Sequence, residues 1–294
     1  MVTFYRRMPR FDYMKPKTMK EALSILSRKK GGEVRVFAGG TDLFPKLKRR
    51  EIKAPQVLVD LKGISGLDYI RYDVKKGLTF GPLTTLSAIE SSPIIRDQFN
   101  VLAQTVHSMA SPQVRNKGTI AGNICNAVPS ADSVPVLLTL EAKLRLMSTK
   151  GMRTVKIEDF FKGPNETVLS EGELLREIQI PPLPKDSKGT YLKLSPRRSM
   201  DLAIVGVAVV GSSEDGVCKD IRVALGAVSP TPIRVKKAED ILRGQKISDE
   251  LIEKVAQVSS EETRPIDDHR ASSDYRRKMV KVLVKRAIQK VLRS

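Results

Sequence analysis

The chain has 294 residues, 40% of them apolar and 5% aromatic, with no Trp, and a formal net charge of +19. That composition fits a soluble globular protein and not a disordered one, and the longest apolar run, residues 202–210, is far too short to span a bilayer, so a cytoplasmic protein with no transmembrane segment is expected. Cys125 and Cys218 are too few and too far apart for a zinc ribbon or a four-thiolate iron–sulfur cluster, so metal chemistry must belong to another chain.

The first 14 residues, MVTFYRRMPRFDYM, are basic and lack the apolar run of a signal peptide. Residues 1–60 then read as a small α/β unit. Thr18 with Glu21 three residues on forms a capping box, and Met19, Ala22, Leu23 and Leu26 mark one apolar helix face. After the loop KKGGE come a short strand over 34–37, a glycine pair and a second strand over 57–61. In VRVFAGGTDL, Gly39 and Gly40 lack Cβ atoms, so their N–H groups can point into a common hollow, and Thr41 adds a hydroxyl donor beside a helix start. The pattern is neither a Rossmann nor a Walker loop, and glycine needed for shape alone is the competing reading.

Residues 61–181 are a second, mixed unit. GLDYIRYDVKKGLTFG suggests a β meander, followed by helices over 84–90 and 94–107. His107 falls in the second of these and reads as a hydrogen-bonded structural histidine. The stretch SPQVRNKGTIAGNICNAVPSADSVP, residues 111–135, repeats the ingredients of the first glycine loop in Thr119, Gly122 and Asn123. Two donor-rich loops gripping one extended ligand suit a pyrophosphate; a single connection stiffened by its own Asn and Ser hydrogen bonds is the alternative. A helix over 133–140, a hairpin of 142–147 with 153–157 around Lys150-Gly151, and the strand LLREIQI close the unit. PPLPKDSKG, residues 181–189, is a linker candidate.

Residues 186–294 form an α+β domain: strands over 190–194, 202–210 and 221–228, then helices to the end. From Arg270 to Ser294, nine Lys or Arg face one acid, Asp274, while Val280, Leu283, Val284, Ala287, Ile288 and Val291 recur at helical spacing, so an amphipathic helix with a wet basic side is expected. The positive excess points to an anionic partner, whether nucleic acid, membrane surface, acidic subunit or phosphorylated ligand. No nucleic-acid-binding motif or aromatic cluster supports the first of these.

Taken together, AGGTDL at 38–43, SPQVRNKGTIAGN at 111–123 and PSADSVP at 129–135 resemble the FAD-binding (medium) subunit of the molybdenum hydroxylases, the xanthine dehydrogenase and carbon monoxide dehydrogenase family. EGELLREIQIPP, YLKLSPRRSMDLAIVGVA and PIDDHRASSDYRRKM extend the resemblance over nearly the whole chain. It implies an α+β fold: a PCMH/VAO-type two-part FAD-binding domain followed by a C-terminal α+β domain of the CO dehydrogenase flavoprotein type. It puts Val36, Phe37, Ala38, Gly39, Gly40, Thr41, Asp42 and Leu43 around the FAD diphosphate, with Asp42 capping the next helix more than touching phosphate. Thr119, Ile120, Gly122 and Asn123 match the second FAD loop, and Ala121 stands there in place of a more usual glycine. Asp132 matches an acid that binds FAD hydroxyls, with capping of the helix at Ser133 as a second role. Met109 and Leu175 align with residues packed against the flavin end, and Lys193 with a lysine near the isoalloxazine ring. The Asp267-Asp268-His269-Arg270 cluster is read as a structural turn and helix cap.

The resemblance further implies a flavin relay. FAD on this chain passes electrons from two 2Fe-2S clusters on a small partner subunit to NAD or another acceptor, and a molybdopterin cofactor sits on a large subunit, in a heterotrimer or a dimer of heterotrimers. No catalytic acid, base or nucleophile and no metal ligand is assigned to this chain. The competing readings are a self-sufficient flavoprotein oxidoreductase of the same fold and a basic nucleic-acid-binding module.

Overall fold

The computed structural model describes residues 7–28, 32–197 and 200–293. The start of the basic N-terminal stretch, Lys29, Lys30 and Gly31 of the KKGGE loop, Arg198 and Ser199, and Ser294 lie outside the described residues.

The first layer is a parallel sheet. β1 (Asp12–Met14) leads through α1 (Met19–Ser27) to β2 (Val34–Phe37), and α2 (Leu43–Arg49) precedes β3 (Val57–Asp60). Their order is β1-β3-β2, which makes β3 central and explains why all four of its residues are buried. Helix α1 buries Ala22, Leu23 and Leu26, the face its spacing announced. Thr18 Oγ1 accepts from Glu21 N at 3.2 Å, while the Glu21 carboxylate accepts from Lys17 N at 2.8 Å, so the box closes one residue early. The exposed β1 was not expected, because three residues carry no periodicity.

The second layer begins with β4 (Ile70–Asp73) and β5 (Gly77–Phe80), then runs through α3 (Leu86–Ser91), α4 (Pro93–Gln98), α5 (Asn100–Ser108), α6 (Pro112–Arg115), α7 (Ile120–Asn126) and α8 (Ser133–Thr139). It returns through β6 (Lys143–Ser148), β7 (Gly151–Lys156), the small hairpin β8 (Phe161–Gly163) and β9 (Glu166–Thr167), and β10 (Leu174–Ile180). The antiparallel order is β4-β5-β10-β6-β7, and the hairpin expected around Lys150-Gly151 is the β6–β7 pair. The single helix expected over 94–107 is two helices. Phe99, with φ −136° and ψ 44°, leaves the helical region, and its fully buried ring fixes the break in the core. Thr85 is the N-cap of α3, accepting from Ala88 N at 3.1 Å, so that helix starts two residues later than expected.

The third layer is β11 (Lys188–Leu194), β12 (Val205–Glu214), β13 (Val217–Gly226) and β14 (Ile233–Arg234), an antiparallel sheet in chain order, followed by α9 (Lys236–Leu242), α10 (Asp249–Glu261) and α11 (Ser273–Leu292). β12 is buried on both faces, which is why it reads as an unbroken apolar run. Val205, Val207 and Val209 join the core under α10 and α11, whereas Ala208 and Val210 join the core of the second layer. The apolar stripe of α11 is buried as its spacing indicated. Asp268 accepts from Arg270 N, Ala271 N and the buried Arg276, and Asp267 accepts from Ser273 N; the cluster is the structural turn expected, with Ser272 as the actual N-cap.

The third sheet presses on α8, every residue of which is buried. Ala227 N donates to Pro129 O at 2.8 Å and Arg222 Nη1 to Thr139 O at 3.3 Å. The loop carrying Asp132 is thereby held at the seam between the second and third layers.

Candidate functional site

The first glycine loop follows β2. Gly40 has φ +74°, and a Cβ there would run into the Phe44 ring, so only glycine fits the turn. A Cβ on Gly39 would overlap the Lys117 carbonyl and lie 2.9 Å from Gly118 Cα. The two loops therefore abut, backbone to backbone. Among the described residues, the main-chain N–H groups of Gly39, Gly40 and Thr41 have no acceptor in the chain. Lys62 steadies the start of the loop: its Nζ donates to Ala38 O at 2.8 Å, pairs with Asp60 at 2.9 Å and lies 3.7 Å from the Phe37 ring centroid.

The second loop is more engaged with itself. Thr119 is the N-cap of α7, its Oγ1 accepting from Gly122 N at 3.0 Å; Asn123 N donates to Thr119 O and Ile120 N to Thr84 O. Those N–H groups brace the loop and are not open to a ligand. The Thr119 hydroxyl proton, the Asn123 amide and the main-chain N–H groups of Thr119 and Ala121, which have no acceptor among the described residues, remain to donate, Asn123 Oδ1 already accepting from Ser133 Oγ at 2.6 Å.

Between the loops runs a cleft of about 990 Å³. Val36, Phe37, Ala38, Gly39, Gly40, Thr41, Asp42, Leu43, Met109, Thr119, Gly122, Asn123 and Asp132 all line it. Ala121 and Leu175 line an adjoining cavity of about 420 Å³, which shares Arg35, Val36, Phe37, Ala38, Gly122 and Cys125 with the cleft. Ile120 is fully buried in the core and Lys193 stands behind the cleft wall at Asp132. Met109 is fixed through its carbonyl, which accepts from Arg115 Nη1 at 2.8 Å; Arg115 pairs with Glu90 at 2.7 Å, and Glu90 accepts from His107 at 2.6 Å. Burial works to raise the Glu90 carboxyl, but His107 and Arg115 outweigh it and hold the group below its ordinary range.

Two capping roles are corrected. Asp42 and Asp132 occupy N-cap positions of α2 and α8, yet neither side chain makes a cap hydrogen bond. Both have backbone in the helical region, not the extended conformation from which an N-cap side chain reaches back. Asp132 instead accepts from Tyr191 Oη at 2.6 Å and Lys193 Nζ at 2.8 Å, and Lys193 also donates to Asp201 O at 2.8 Å. Burial first, then the Asp132 carboxylate, holds the Tyr191 phenol well above the ordinary tyrosine range. Tyr191 and Lys193 share one face of β11 by strand periodicity, the one sequence signal that would have added Tyr191 to the site. Lys46, Asn126 and Asn165, which meet on the cleft wall, left no such signal.

The cleft fits an extended, doubly charged dinucleotide. It offers unengaged main-chain donors at a glycine turn, two small-residue loops in contact, and the Asp132 carboxylate, held from behind by Tyr191, able to order hydroxyl groups. Such a site on an α+β scaffold marks a dinucleotide-binding protein. Residues 9–183 match the family model described as the FAD binding domain in molybdopterin dehydrogenase, and residues 190–291 match the CO dehydrogenase flavoprotein C-terminal domain; the chain belongs to this family of FAD-binding subunits of multi-subunit molybdenum oxidoreductases. It is 36% identical to the glyceraldehyde dehydrogenase medium chain of Sulfolobus acidocaldarius, over 96% of this chain and 99% of that one. It is 34% identical to the carbon monoxide dehydrogenase medium chain of Hydrogenophaga pseudoflava, over 95% and 96%. Among solved structures, carbon monoxide dehydrogenase from Hydrogenophaga pseudoflava superposes with a TM-score of 0.93 at 33% identity, covering 97% of this chain and 98% of that one. Quinoline 2-oxidoreductase from Pseudomonas putida 86 gives 0.90 at 30% identity, covering 97% and 98%. Among the described residues no helix is long and apolar enough to cross a membrane.

Proposed function

We propose that this chain is the electron-relaying FAD subunit of a cytoplasmic hydroxylase or dehydrogenase. It would accept electrons from 2Fe-2S clusters of a small partner subunit and deliver them to NAD or another acceptor. A large subunit would carry the molybdopterin cofactor, in a heterotrimer or a dimer of heterotrimers. The observation that supports this most is the contact of Gly39 with Lys117 and Gly118, which holds the free donors of residues 39–41 toward the cleft.

In this reading Gly39, Gly40 and Thr41 hold the diphosphate through main-chain N–H groups and the Thr41 hydroxyl, with Thr119 and Asn123 opposite. Asp132, oriented by Tyr191 and Lys193, accepts from ligand hydroxyls. Met109 and Leu175 pack against the ring system and exclude water from it. Bound FAD supplies the chemistry of taking electrons singly and releasing them as a pair. Relatives of the same fold are named for glyceraldehyde, carbon monoxide and quinoline, which supports placing substrate choice on a partner chain.

The test is to purify the full chain with FAD, alone and co-expressed with its partner subunits. A yellow protein whose flavin is reduced by organic substrate only in the assembled complex supports the relay. Flavin reduced by a small organic substrate with this chain alone would show a self-sufficient flavoenzyme. A folded, colourless chain that takes up no FAD would overturn the reading.

A further inference from the structure

The charged groups that line the cleft are unequally matched. Of its four carboxylates, Asp132 is paired with Lys193, Asp201 with Arg197 and Glu51 with Arg49, while Asp42 forms no salt bridge among the described residues. Lys46, a cation, is likewise without one. Its Nζ donates to Asn126 Oδ1 at 2.7 Å and to Asn165 Oδ1 at 3.4 Å, both neutral amides, and forms no salt bridge among the described residues. Two amide oxygens fix the position of the ammonium without cancelling its charge, and one of its three donor directions stays open.

This placement is built by three separate elements. Lys46 comes from the helix after the first glycine loop, Asn126 from the last residue of α7 and Asn165 from the β8–β9 turn. Asn165 has φ +60°, and its N–H donates to Ala127 O at 2.8 Å, which ties the turn to the end of α7. Asn tolerates that backbone better than most residues and also supplies the second amide acceptor. All three side chains line the same cleft as Gly39, Gly40 and Thr41. The glycine loop offers only dipoles to a diphosphate, and the Lys193 charge is matched by Asp132; Arg35 and Asp42 also line the cleft without a salt bridge among the described residues, and of these unpaired charges Lys46 is the cation whose ammonium is held in place by side-chain hydrogen bonds.

Resting on the FAD reading above, we propose that Lys46, held by Asn126 and Asn165, is the cation that recognises the diphosphate and makes the cleft select a dinucleotide flavin over riboflavin. A charge-assisted hydrogen bond to phosphate is worth about tenfold to a hundredfold in affinity. Because it acts on charge, its contribution falls as salt rises.

The experiment titrates the full chain, freed of bound flavin, with FAD, FMN, riboflavin and ADP, by fluorescence and calorimetry at low and high salt. Lys46→Met is expected to weaken FAD and ADP about tenfold to a hundredfold, to leave riboflavin unchanged and to flatten the salt dependence, while Lys46→Arg retains most of the affinity. Asn126→Asp provides a check that keeps the lysine: a carboxylate beside Nζ neutralises the charge and is expected to weaken FAD and ADP to a similar degree. If wild type binds FAD and both neutralising variants bind it equally well, or if FAD and riboflavin weaken together, the proposal is overturned while the flavin reading stands. If folded wild type binds neither FAD nor ADP, both are overturned.

Discussion

Gly39 lies so close to Lys117 that a Cβ on it would overlap the Lys117 carbonyl oxygen and come within 2.9 Å of Gly118 Cα. Both obstructing groups are main chain, so no side-chain rotation can make room. Gly39→Ala is therefore expected to push the two loops apart, costing about 2 kcal/mol of stability and abolishing stoichiometric FAD uptake. Urea unfolding and the flavin-to-protein absorbance ratio measure the two effects, and an alanine variant with wild-type values in both would contradict the contact.

Asp132 and Lys193 form an ion pair in which both side chains are nearly buried, 10% and 14% exposed. Replacing Asp132 by Asn leaves an uncompensated ammonium in that seam, with an expected loss of about 3 kcal/mol. Lys193→Met in the same chain removes the stranded charge, so the double variant is expected to recover part of the loss. Chemical denaturation of the four proteins of the cycle measures the coupling, and simple additivity would argue against a structural pair.

Tyr191 is raised above the ordinary tyrosine value, so its contribution has a defined sign with pH. The neutral phenol is favoured in the fold, and the stabilisation is fully present below about pH 10, the unfolded value, and is lost as pH rises further. Tyr191→Phe is expected to lose stability at neutral pH and to flatten the alkaline decline. Parallel alkaline decline in both proteins would sink this assignment.

Asp268 behaves in the opposite sense. Burial opposes its ionisation, but N–H groups of Arg270 and Ala271 and the Arg276 guanidinium prevail and pull it down to about 2. The stability it provides is present above about pH 4, the unfolded value, and is lost as pH falls through about 2. Asp268→Asn is expected to lower the melting temperature at pH 7 and to change little at pH 2, measured by calorimetry across that range. Arg276, buried and also donating to Ile204 O at 2.7 Å, makes the loss a loss of the β12–α11 packing.

Cys218 is a protected thiol: it is fully buried, and burial pushes it up to about 11. It is expected not to react with a thiol reagent at pH 8 in the native protein and to react once the chain is unfolded. Cys125 is raised by burial too, to about 12, but it is only half-buried and lines both cavities, so native labelling is expected at Cys125 before Cys218. Labelling of Cys218 as fast as Cys125 in the native state would contradict its burial.

The local features of this chain were legible because they arise from neighbouring residues. The apolar stripe of α11 and the continuous run of β12 follow from periodicity and two-sided burial, and the glycine turn at Gly40 from a backbone angle that a side chain forbids. The ordered motifs from AGGTDL to PIDDHRASSDYRRKM carried the family as well. What the tertiary structure decided was which residues meet. Asp42 and Asp132 have the composition of helix caps, but capping depends on φ and ψ, and packing of the third sheet on α8 delivers Tyr191 and Lys193 to Asp132 instead. The break at Phe99 depends on where its ring finds a core, and the Lys46–Asn126–Asn165 cluster joins residues up to 119 positions apart. A contact between distant residues costs loop closure that only the packed fold repays, so it leaves no local trace in the order of amino acids.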